Sequence, residues 1–187
     1  MIYAVCRLAP LPPGPYNGTL MSVRDEQLFK ILEKLQSHYQ NNLNNRYIRK
    51  ALLVMKVPTG TWNALGRLTE KSDYYKLQGY QYKELYEQIY AAATFVYHAR
   101  TEVLPRLKGL LTGGTETVFS RPKAEEPKDK VLLEMAINNF PANLGVFSDL
   151  INELYVRAVA LDREEHPKEK PIFEHMPELK ELGKLLT

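Results

Sequence analysis

Cysteine is nearly missing from this chain. One residue of the 187, Cys6, cannot make an internal disulfide, so a disulfide-stapled scaffold is excluded and a reducing, cytoplasmic address is the expected one. Cys6 itself reads as a small buried hydrophobe. Long apolar runs are missing too: none reaches the roughly eighteen residues that a membrane span needs. The first ten residues carry no basic leader before Pro10, Pro12, Pro13 and Pro15, so a signal peptide is not expected.

Chemistry-bearing spacings are equally scarce. The four histidines, His38, His98, His166 and His175, are never four residues apart, and no Glu-x-x-His pair occurs, which argues against a di-iron bundle. His98 and Glu102 stand at i,i+4, but on the polar arc of their helix. Gly113-Gly114-Thr115 lacks the lysine and second glycine of a phosphate-cradling loop, and neither Gly-x-Gly-x-x-Gly nor Gly-x-Ser-x-Gly is present. No metal, no cofactor and no catalytic residue is therefore nominated. The formal charge of +3 is too small to argue for nucleic acid by itself.

What the chain does contain is an ordinary globular composition, 44% hydrophobic and 25% charged, in a length that fits one domain, residues 1–187. The charge is uneven. Residues 1–111 hold 15 Lys and Arg against 8 Asp and Glu, net +7, and residues 112–187 hold 10 against 14, net −4. The halves suit packing on each other, within one chain or between chains.

The organising stretch is 80–104. Leu85, Ile89, Ala93, Val96, Val103 and Leu104 recur at helical spacing, with Lys83, Glu84, Glu87, His98 and Glu102 on the opposite arc. Pro105 should end or kink this helix. Seven of the twelve tyrosines lie between Tyr74 and Tyr97, and Tyr82, Tyr86, Tyr90 and Tyr97 line one flank of the apolar arc. Tyrosine has a large apolar body and a hydroxyl that needs a partner, which suits an interaction surface or a pocket rim. Arg100 projects into the apolar arc, where it must snorkel out or find a partner, with Asp149, Glu153 and Asp162 as the candidates.

Around this pillar, Leu28, Ile31, Leu32, Leu35 and Tyr39 predict a first helix over 22–42, opened by Ser22. Tyr47, Ile48, Ala51, Leu52 and Met55 predict a second helix; the rival is a strand at Leu52–Val57 pairing with Ile2–Leu8. As a helix it would display Arg46, Arg49 and Lys50, a basic face that extends to Lys56 and Arg67 and could meet phosphates. A connector anchored by Trp62 follows over 58–79, and 112–130 reads as a flexible loop.

Residues 130–140 are apolar nearly all round, as a short helix buried on most sides would be. Pro141 punctuates, and a second long helix is expected over 142–165, its Leu154–Leu161 portion apolar around most of its girth and covered by more than one neighbour. After a charged spacer, Leu179, Leu182 and Leu186 predict a short detachable helix at 177–186.

The sequence thus predicts a mainly α bundle of about five or six helices, with a small β element at the N-terminus as the expected departure. Its first functional expectation is a non-enzymatic interaction or assembly protein, self-association included, with a protein partner. Nucleic-acid binding through the basic face comes second. An enzyme or small-ligand carrier with a pocket rimmed by Tyr86, Tyr90, Tyr97 and Arg100 comes third.

Overall fold

The structure, a computed structural model, describes residues 22–49, 66, 79–107 and 127–187, and within them it is mainly helical. The expected pairing of Ile2–Leu8 with Leu52–Val57 lies outside these residues, as do the Trp62 connector and most of the expected loop at 112–130.

The first helix, α1, runs Glu26–His38. Its cap is Asp25, whose carboxylate accepts from the Leu28 backbone N–H at 2.8 Å, with Glu26 adding negative charge to the first turn. Ser22 does not open it, contrary to the sequence expectation. Ser22–Val23 instead form a two-residue strand, β1, antiparallel to β2 at Tyr80–Gln81, with Val23 opposite Tyr80. The Asp25 carboxylate also binds Arg157. Leu28, Phe29, Ile31, Leu32 and Leu35 are buried, and a π-helical turn, Tyr39–Leu43, continues α1.

The second helix, α2, runs Tyr82–His98, so the first two residues of the expected pillar are strand rather than helix. Leu85, Ile89, Ala93 and Val96 are fully buried, as their spacing predicts. Beyond His98 the turn widens: Ala99–Val103 is π-helical, with the Leu104 N–H reaching the Ala99 carbonyl five residues back. A wide turn directly before Pro105 relieves the clash that a proline ring makes with the carbonyl four residues earlier, and the helical path goes on to Leu107.

The third helix, α3, is one 39-residue element, Pro127–Glu165. Two expectations are corrected here. The last residues of the expected loop, 127–130, are its first turn, and Pro141 lies inside it without dividing it. The missing Pro141 N–H costs on the order of 3 kcal/mol. Ile137, Phe140, Leu144 and Phe147 continue one buried stripe past it, and at about 1.5–3 kcal/mol for each large side chain that stripe outweighs the loss.

The tail folds back as two 3₁₀ turns, Ile172–His175 and Pro177–Glu181, and a short helix, α4, Leu182–Leu186. Met176, Leu179, Leu182 and Leu186 are buried in the same core as α1, α2 and α3. The predicted terminal helix is therefore present but shorter, and it docks on its own bundle.

Candidate interaction surface

The tyrosine flank of α2 splits between core and surface. Tyr82 and Tyr86 are buried, Tyr90 is half-buried and Tyr97 is 44% exposed. This corrects the expectation of a continuous tyrosine surface or pocket rim, because the first two rings face inward. The Tyr86 hydroxyl donates to Asp162 at 2.9 Å, and its ring meets Tyr155 and Phe173 edge-on. Tyr82 packs edge-on against His166. Burial first, and the Asp162 carboxylate second, hold the Tyr86 phenol well above its ordinary pKa; burial and Glu165 do the same for Tyr82. Both remain protonated across the physiological range.

Asp162 is the polar hub of this end. It is fully buried and accepts from the Tyr86 hydroxyl, from the backbone N–H groups of Ile172 at 3.1 Å and Phe173 at 3.0 Å, and from His166 Nδ1 at 3.0 Å. A carboxylate only accepts, so His166 carries a proton on Nδ1 in this contact. Four donors compensate the buried charge. They also tie the first 3₁₀ turn of the tail to the end of α3. Asp162 is thus a clasp for the tail and makes no pair with Arg100.

Arg100 finds a different partner. Its Nη1 donates to the Leu186 carbonyl, which also accepts from the buried Ser148 hydroxyl at 2.7 Å. Neither Asp149 nor Glu153, both exposed, takes that role. Arg100 and Ser148 satisfy one of the open carbonyls that end α4, so they latch the tail's far end as Asp162 latches its near end. The expected detachable helix is held at both ends.

The basic face cannot be assembled as a unit. Lys50, Lys56 and Arg67 lie outside the described residues. Arg46 is exposed, with its guanidinium 4.6 Å from the centre of the Tyr47 ring and Nη2 donating to the Tyr47 hydroxyl at 2.7 Å; Arg49 is exposed. His98 and Glu102 face each other in solvent, Nδ1 to Oε1 at 3.2 Å.

A shallow cleft of about 670 Å³ separates α1 from α3. Lys30 and Lys34 line one wall, and Asp149, Glu153 and Val156 the other. One end of it is closed by a forked ion pair, Arg157 Nε and Nη2 to the two Asp25 oxygens at 3.1 and 2.7 Å. The tyrosines and Arg100 line neither this cleft nor the second one, beside Ser37 and Asn41.

The largest departure from expectation is the outward face of α3. Residues 130–140 were expected to be buried on most sides. Leu133, Ile137 and Phe140 are buried, but Val131 and Met135 are each 54% exposed, and Val146 is 47% exposed further along. Val156, in the turn expected to be covered by several neighbours, is 57% exposed. At about 100° per residue these four lie opposite the buried stripe through Phe140, Phe147 and Leu154. Asn138, Asn139, Pro141 and Ala142 are exposed between them, while Gly145 is half-buried and a Cβ there would meet nothing within 4 Å.

This face also lacks charge. From Val131 to Ser148 the sequence has a single ionisable residue, the half-buried Glu134. Solvated helix faces normally carry Lys and Glu, whereas the cores of protein interfaces lose charge and gain methionine. The eighteen residues with one charge are legible in the sequence, where their apolar character reads as part of the chain's own core. Among the described residues no helix is long and apolar enough to cross a membrane, so α3 is not a spanning segment. No protein-family model, no curated protein and no solved structure matches this chain.

Proposed function

We propose that this chain is an interaction or assembly protein that docks through the outward face of α3, centred on Val131, Met135, Ala142 and Val146. One observation carries the reading: a long helix keeps an apolar, nearly charge-free strip in water, directly opposite the face it buries. The terminal helix is held on the bundle through Ser148 and Arg100, and in the tyrosine flank Tyr86 is held by Asp162, while Tyr97 stays exposed.

The test places a photoactivatable cross-linking side chain at position 135 or 142 of the full chain, in the cells that make it, with position 164 as an exposed, charged control. Protein adducts at 135 and 142 in clear excess over 164 are the expected result. Equal yields at all three positions would overturn the proposal.

A further inference from the structure

We draw no further inference here: the strongest candidate, the shallow cleft between α1 and α3 in which Lys30 and Lys34 face Asp149 and Glu153, is walled by exposed side chains that suit water as well as any ligand, and nothing in the structure shows what covers it.

Discussion

The two faces of α3 have different chemistry for different reasons. The inward face carries Leu133, Ile137, Phe140, Leu144, Phe147, Ile151 and Leu154, all buried, and ends at a buried carboxylate with four donors. The outward face, one helix diameter away, has smaller apolar side chains that stay wet in the single chain, with Glu134 the one ionisable residue from Val131 to Ser148. Apolar character along this helix is therefore buried within the chain on one face and, on the docking face we propose, left in water. Substitutions on the inward face should change stability, and those on the outward face should change association.

The sharpest way to break the comparison lies at its inward end. Asp162→Ala removes the acceptor for Tyr86 and for two part-buried backbone N–H groups, and should cost about 3–5 kcal/mol in chemical denaturation. The tail should be the first segment to lose protection from hydrogen exchange. A loss below about 1 kcal/mol would show that Asp162 is not a clasp. Tyr86→Phe is milder, about 1–2 kcal/mol, since Asp162 keeps three donors and the ring keeps its packing.

Asp25→Ala tests the junction of α1 and α3. It removes a helix cap and one half of a forked ion pair, together about 1–3 kcal/mol. The Arg157 hydrogen bond, chiefly, holds the Asp25 carboxyl below its usual range. Because the folded value is depressed, the pair's contribution is fully present above the ordinary carboxylate range near pH 4 and is lost as pH falls through the folded value. The stability gap between the wild type and Asp25→Ala should thus be constant from about pH 5 to 8 and narrow below about pH 4; a gap that widens in acid would contradict the pairing.

The smallest effect on stability is expected on the outward face. Met135→Lys should change the unfolding free energy of the separated chain by no more than about 0.5 kcal/mol, and it should abolish association. A loss of several kcal/mol would mean that Met135 belongs to the chain's own core.

Much of the frame was legible in the sequence. Leu85, Ile89 and Val96 are buried where their spacing put them, and α1 and the tail helix are present near their predicted places. What local reading missed came from partners distant in sequence. The Asp25 cap of α1 is also gripped by Arg157, 132 residues away. Pro141 did not split α3 because the stripe on either side of it packs on one core. Arg100 chose a main-chain carbonyl 86 residues on, which no side-chain pattern announces. The charge-free stretch from Val131 to Ser148 was visible, but periodicity says only that a face avoids water and is silent on which chain covers it.

Methionine oxidation tests the outward face most directly, because one exposed and one buried methionine sit in the same molecule: Met135 is 54% exposed and Met176 is 7% exposed. In the isolated chain, peroxide should convert Met135 to its sulfoxide several-fold faster than Met176, and a partner seated on the outward face should slow Met135 alone. Equal rates at Met135 and Met176 in the isolated chain would contradict an apolar face left in water.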